Sequence, residues 1–135
     1  MIDLDTIDKI LARAPIADLS RIIGQSAQYS AVMRKVAILH ATFLETTDDA
    51  VLVEAVRDAA TIDEHVPYTE ANAYCQIMDE VNILVQRTAD SGSTQLAKKL
   101  ASVALVAGEA SAEAIQDGNF WQMSVEDLQK IADRL

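Results

Sequence analysis

The sequence predicts an all-α protein, a single-domain helical bundle of about five to six helices with an alanine-rich helix at its centre. Four glycines and two prolines in 135 residues are few for a sheet protein with many turns. Half of the residues are apolar but only six are aromatic, so alanine and branched aliphatic residues must fill most of the core. The length fits one domain, residues 1–135, which can bury about two-thirds of the surface of its unfolded chain.

A short helix and a second apolar segment are predicted at the start of the chain. Apolar residues recur there at helical spacing, namely Ile7, Ile10 and Leu11 in the first and Leu19, Ile22 and Ile23 in the second. Asp5 or Thr6 is placed to cap the first helix. Pro15 separates the two segments because proline ends a helix but is tolerated at the first position of the next. Gly24 is expected to interrupt the second segment.

Two longer helices are predicted next. The first runs from about Ser26 to Glu45, and its expected core stripe is Tyr29, Val32, Met33, Val36, Leu39, Phe43 and Leu44. Thr47 and two following aspartates indicate the start of the second, since a hydroxyl cap and early acidic residues suit the positive end of a helix dipole. This helix should run to about Ile62 and bury Val51, Leu52, Ala55, Val56 and Ala59.

A helix from about Thr69 to Asp90 follows an extended break at Pro67, because the residue before a proline disfavours helical geometry. Its predicted apolar face contains Tyr74, Ile77, Met78, Val81, Leu84 and Val85. Ile83 falls on the opposite, polar side. Either the helix is buried on both sides, or Ile83 is an exposed anchor ringed by charge, as binding hot spots tend to be.

Two more helices are predicted in the last third of the chain. Thr94 starts a helix that is apolar almost all round over residues 100–107, a pattern typical of a central helix in a bundle. The turn at residues 117–119 should close it. Trp121 is then expected to plug the end of the core, and Ser124 to cap a final short helix that ends near Arg134.

Negative charge is concentrated in one part of the chain. The window from Glu45 to Glu80 holds ten carboxylates and one cation, Arg57, while the whole chain has a formal net charge of −10. Like charges gathered in a third of a small domain repel one another, so such a field often indicates a cationic partner. The alternative is a solvated acidic surface that only aids solubility.

This charge pattern favours a non-enzymatic protein-binding module whose acidic face docks a basic protein. The expected partner-binding residues are Glu54, Asp58, Asp63, Glu64, Tyr68, Glu70, Asp79, Glu80 and Ile83. In fold class and charge alone, the chain resembles two groups of small acidic helical proteins. These are bacterial immunity proteins that neutralise a toxic nuclease, and phage-type inhibitors that occupy a nucleic-acid groove.

Two alternative functions follow from other features. Glu54, Asp58, Asp79 and Glu80 could serve a metal-dependent phosphohydrolase of helical-bundle type, because Mg²⁺ prefers carboxylate oxygens. Alternatively, the chain could be a structural homo-oligomer joined through a leftover apolar face. We expect no cofactor and no metal site, because neither a Glu-x-x-His pair nor a glycine-rich phosphate loop occurs. Nucleic-acid binding is disfavoured by the net charge.

The remaining reactive side chains point to structural roles. Cys75 is the single cysteine and is expected to be a buried structural thiol, so no disulfide compartment is required. His40 is expected to be partly buried and satisfied by a partner. The chain shows no secretion signal and no apolar stretch of the roughly 20 residues that span a bilayer. We therefore expect a soluble, cytoplasmic protein without membrane contact.

Overall fold

The computed structural model describes residues 3–116 and 118–135, and these residues contain seven α-helices. They are α1 (Leu4–Leu11), α2 (Ile16–Tyr29), α3 (Ala31–Glu45), α4 (Asp49–Ala60), α5 (Tyr68–Asp90), α6 (Thr94–Ser111) and α7 (Asn119–Arg134). No strand occurs in these residues, so the all-α prediction is confirmed, with seven helices instead of five to six. Asp117, in the predicted turn, lies outside the described residues.

None of the helices in the described ranges is long and apolar enough to cross a bilayer. A 3-10 turn at Ala112–Ala114 follows α6. Beyond it, a single parallel bridge joins Val66 to Ile115, through Val66 N–H to Ala114 O at 2.8 Å and Gln116 N–H to Val66 O at 2.9 Å. The bridge ties the α4–α5 loop to the α6–α7 connection.

Helices α3 to α7 enclose the core. The predicted apolar face of α5 is confirmed, since all six of its residues are buried. Helix α5 packs against α3, α4, α6 and α7, whereas the alanine-rich α6 packs against α4, α5 and α7 and leaves Val106 exposed. Gly108 lets α6 approach α7 closely, because a Cβ there would lie 3.2 Å from Cγ2 of Val125. The most enclosed helix is therefore α5, with α6 beside it.

The helix predicted from Ser26 to Glu45 is wrong at its start. Helix α2 continues through the exposed Gly24, and the break falls at Ser30, whose backbone is extended. Ser30 caps α3 because its Oγ accepts a hydrogen bond from Met33 N–H at 3.2 Å. As a result, Tyr29 and Leu44, both assigned to the core stripe, are 89% and 87% exposed. Only Val32 and Leu39 of that stripe are fully buried.

Three predicted caps are also wrong: neighbouring aspartates cap two of the helices, and the third helix starts earlier, after Gly118, without a side-chain cap. Asp3, not Asp5 or Thr6, caps α1, and the Thr6 N–H bond to its carboxylate at 2.7 Å lowers the pKa of Asp3. Asp48 takes the place of Thr47 and caps α4 by accepting from Ala50 N–H at 2.9 Å. Helix α7 starts at Asn119, five residues before the predicted cap Ser124.

Candidate functional site

An open groove of about 580 Å³ runs between α3 and α4. Its floor is mostly apolar, and we call it the α3–α4 groove. It is lined by Lys35, Ile38, Leu39, Thr42, Ala50, Val51, Glu54, Ala55, Asp58 and Ala59. Ile38 and Val51 are exposed there although both are large and aliphatic. No helix of the described ranges covers them, so the apolar floor of the groove is in contact with solvent.

Carboxylates stand along the rim and at one end of the α3–α4 groove. Glu54 and Asp58 line it directly. Glu45, Asp48 and Asp49 lie where α3 passes into α4, and no cation of the described residues pairs with these three. The groove therefore has an apolar floor and an acidic border. One of the border carboxylates, Glu54, pairs with the cation Arg57.

Lys35 fixes the other end of the groove. Its ammonium donates hydrogen bonds to Asp58 O at 2.7 Å and Thr61 O at 3.1 Å. These are carbonyls at the carboxyl end of α4, where a cation also meets the negative end of the helix dipole. The charge of Lys35 is therefore used within the fold and holds α3 and α4 at a set spacing.

The nine predicted partner-binding residues lie on three segments of the chain. Two of them, Glu54 and Asp58, line the α3–α4 groove. Four lie on the α4–α5 loop and the first turn of α5, namely Asp63, Glu64, Tyr68 and Glu70. Asp79, Glu80 and Ile83 lie in the middle of α5, and no residue of α5 lines the groove. Two of the nine therefore line the α3–α4 groove, and the other seven do not.

Two of the α5 carboxylates have partners inside the protein. Asp79 Oδ1 accepts a hydrogen bond from Ser124 Oγ at 2.6 Å, which links α5 to α7. Glu80 Oε1 lies 3.2 Å from His40 Nε2, which links α5 to α3. Ile83 is 42% exposed, so α5 is not buried on both sides. The expectation that His40 is a partly buried and satisfied side chain is confirmed.

The α4–α5 loop is held in place from both ends. Ile62 N–H donates to Ser111 Oγ at 2.8 Å, and the bridge at Val66 fixes the other end. Asp63, Glu64 and His65 between these points are exposed. Glu64 also accepts a hydrogen bond from Tyr74 Oη at 3.3 Å, and the pKa of Tyr74 is raised by burial and by the Glu64 charge.

The structure does not support the metal site considered for a phosphohydrolase. No three histidine, cysteine or acidic side chains in residues 3–116 and 118–135 come close enough together to hold a metal ion. The required ligands are separated, because Glu54 and Asp58 face the groove on α4 while Asp79 and Glu80 bond to α7 and α3. This arrangement does not provide the clustered hard oxygen ligands that Mg²⁺ catalysis needs.

Cys75 is partly buried, and its thiol donates to Asn72 O at 2.8 Å. Burial raises the pKa of Cys75, and the nearby Asp79 charge raises it further. A raised pKa leaves less thiolate at a given pH, and thiolate is the reactive form. We expect iodoacetamide to alkylate Cys75 several-fold more slowly than glutathione at about pH 8. Unfolding in urea should remove the difference, whereas equal rates in the folded protein would contradict this assignment.

Sequence reasoning missed most of the groove-lining residues. Helical spacing places Val51 in the core, and it marks neither Ile38 nor Lys35 as a site residue. A signal was present, because α3 carries apolar residues on more than one side: Ile38 lies outside the stripe of Val32, Val36 and Leu39. A helix whose apolar surface is wider than one face needs a second neighbour.

Comparison with protein-family models, curated proteins and solved structures found no match to this chain. The site must therefore be interpreted from its own geometry.

Proposed function

We propose that this protein is a non-enzymatic binding module that holds a cationic amphipathic helix of a partner protein in the α3–α4 groove. The observation that carries the proposal is the combination of an exposed apolar floor with carboxylates on its border. Amphipathic helices bind in this manner, with the apolar face in a groove and the charged face toward the rim.

The openness of the groove favours a helix over a small molecule. Small-molecule sites usually enclose 70–90% or more of the ligand surface. The α3–α4 groove is open to solvent instead of enclosed, so an occupant would keep part of its surface in water. A helix presents one apolar stripe and keeps its other faces in water, so it matches this shape.

The charge of the border favours a basic partner. Five carboxylates border the α3–α4 groove or its end, against the two cations Lys35 and Arg57, so five negative and two positive charges leave a net charge of −3 there. Complementary charge would speed association, and the effect would decrease with salt. A basic protein that acts on nucleic acid carries surfaces of this kind, so neutralisation of such a protein is the role that fits the module.

The test uses a fluorescently labelled peptide of leucine and lysine, about four helical turns long, with all leucines on one face. We expect Val51→Asp to weaken binding of this peptide about tenfold or more, a loss of about 1.4 kcal/mol. Val51 lies in the groove, and Val106, an exposed valine on α6, lies outside it. Val106→Asp is therefore the matched control and should bind within about twofold of wild type.

A second pair of variants tests the charge. The double variant Glu54→Lys with Asp58→Lys should weaken peptide binding and reduce its salt dependence. The control double variant, Glu109→Lys with Glu126→Lys, lies outside the groove and should change the affinity and its salt dependence less. A peptide with glutamate in place of lysine should bind poorly. Equal weakening by Val51→Asp and Val106→Asp, or equal binding of the two peptides, would contradict the proposal.

A further inference from the structure

The two ends of the α3–α4 groove differ in charge. At one end, which we call the lysine end, the Lys35 ammonium bonds to the backbone of Asp58. The other end is lined by Thr42 and Ala50 and lies where α3 passes into α4, so we call it the connection end. A helix bound in the groove therefore meets different groups at its two termini.

Glu45 and Asp48 make the connection end negative. Glu45 follows Thr42 at helical spacing, so it continues the row of α3 residues that line the groove. Asp48 caps α4 by accepting from the N–H of Ala50, which lines the groove. Both carboxylates are exposed, and neither pairs with a cation in the described part of the chain. Helical spacing puts Asp49 on the far side of α4, so it is not needed for this field.

The helix dipoles of α3 and α4 oppose each other at the connection end. The last turn of α3, with its negative dipole end, meets the first turn of α4, with its positive dipole end. The two contributions largely cancel, so the side chains of Glu45 and Asp48 set the sign of the field. In the middle of the groove, Glu54 pairs with Arg57 and favours neither direction of a bound helix.

The lysine end offers an unused hydrogen-bond donor. The Lys35 ammonium has three protons, and two of them bond to Asp58 O at 2.7 Å and Thr61 O at 3.1 Å. No hydrogen bond within residues 3–116 and 118–135 uses the third. The Asp58 carboxylate lines the groove here and offsets the Lys35 charge, whereas Asp63 and Glu64 lie on the α4–α5 loop and do not line it.

We infer that the partner helix lies with its first turn at the connection end and its last turn at the lysine end, and that basic residues precede its first turn. This inference rests on the function proposed above. A helix start carries about half a positive charge and free N–H groups, and a helix end carries the opposite charge and free carbonyls. In the inferred direction the helix start meets Glu45 and Asp48, and a carbonyl of the last turn accepts the third Lys35 proton. The reverse direction would set free carbonyls against carboxylates.

The first experiment determines the direction of binding. The leucine and lysine peptide described above, blocked at both termini to remove the terminal charges, carries a nitroxide spin label at one end or the other. Amide signals of the ¹⁵N-labelled full chain are recorded with each peptide. We expect the label at the peptide amino terminus to broaden the signals of Thr46 and Thr47, and the label at the carboxyl terminus to broaden those of Ala60 and Thr61. Reduction of the nitroxide should restore the signals in both cases.

The second experiment tests the placement of the basic residues. Two leucine and glutamine peptides carry a pair of arginines either before the first turn or after the last. The first should bind about threefold or more tighter, and Glu45→Gln should remove most of this difference. Glu109→Gln, at an exposed glutamate outside the groove, is the matched control and should keep it. The free peptides favour the opposite placement, because cations stabilise a helix end, so the expected order must come from the groove.

The outcomes separate the direction from the proposed function. Binding with the reversed broadening pattern, or with both labels broadening both ends equally, would overturn the inferred direction and leave the binding module in place. Equal affinities of the two arginine peptides would overturn the placement of the basic residues. Failure of the leucine and lysine peptide to bind at all would overturn the proposed function, and the inferred direction with it.

Discussion

Replacing Trp121 with alanine is expected to lower the free energy of unfolding by about 3–5 kcal/mol. Trp121 is completely buried and is the largest side chain in the core, at the junction of α6 and α7. Its indole N–H donates to Gly108 O at 2.8 Å. The backbone N–H of Ala112, which would bond this carbonyl in a continuous helix, donates to Glu109 O instead. Alanine would therefore leave both a cavity and a buried acceptor without a donor.

Thermal unfolding followed by circular dichroism measures the effect, and the midpoint should fall by roughly 10–15 °C. Trp121→Phe separates the two contributions, because phenylalanine fills most of the volume but cannot donate to Gly108 O. It should cost about 1–2 kcal/mol. Phe120→Ala, at the exposed neighbouring aromatic, is the control and should cost under about 1 kcal/mol. Equal losses of stability for Trp121→Ala and Phe120→Ala would contradict the assignment of Trp121 as the side chain that fills the end of the core.

Helix α5 shows what the sequence could predict. Its apolar face follows from spacing alone, since an uninterrupted helix of 23 residues keeps one register from end to end. The register of α3 could not be predicted in the same way. A single extended residue, Ser30, separates two helices that have continuous apolar periodicity, and this break exposes Tyr29. Helical spacing gives the direction of a side chain only within one unbroken helix.

The acidic window shows a second limit of sequence reasoning. Its charge was evident, but the partners of Asp79 and Glu80 lie 45 and 40 residues away in the chain. No local pattern connects Ser124 with Asp79, because a serine early in a predicted helix is read as a cap. The long-range contacts decide which carboxylates are held within the fold and which, such as Glu54 and Asp58, face an open groove.

Replacing Ser111 with alanine is expected to cost about 2–3 kcal/mol of unfolding free energy, although only one oxygen atom is removed. Ser111 is buried near the end of α6. Its hydroxyl accepts from Ile62 N–H at 2.8 Å, and its single proton is shared between Ala60 O and Ala107 O, each 2.7 Å away. Ala60 is the last residue of α4, so this hydroxyl satisfies a helix-end carbonyl and the first buried N–H beyond it. Alanine leaves both groups without this partner.

The stability loss in Ser111→Ala should be accompanied by a local change in the α4–α5 loop that a general destabilisation does not produce. Hydrogen exchange of the Ile62 amide should accelerate more than exchange in the middle of α5, because the α4–α5 loop loses its attachment at Ile62. Ser102→Ala is the matched control, since Ser102 is exposed on the same helix and alanine is the better helix former. If Ser111→Ala were as stable as Ser102→Ala, this hydroxyl would not join the ends of α4 and α6. The α4–α5 loop, with Asp63 and Glu64, would then depend on the Val66 bridge and the hydrogen bond from Tyr74 to Glu64 for its position.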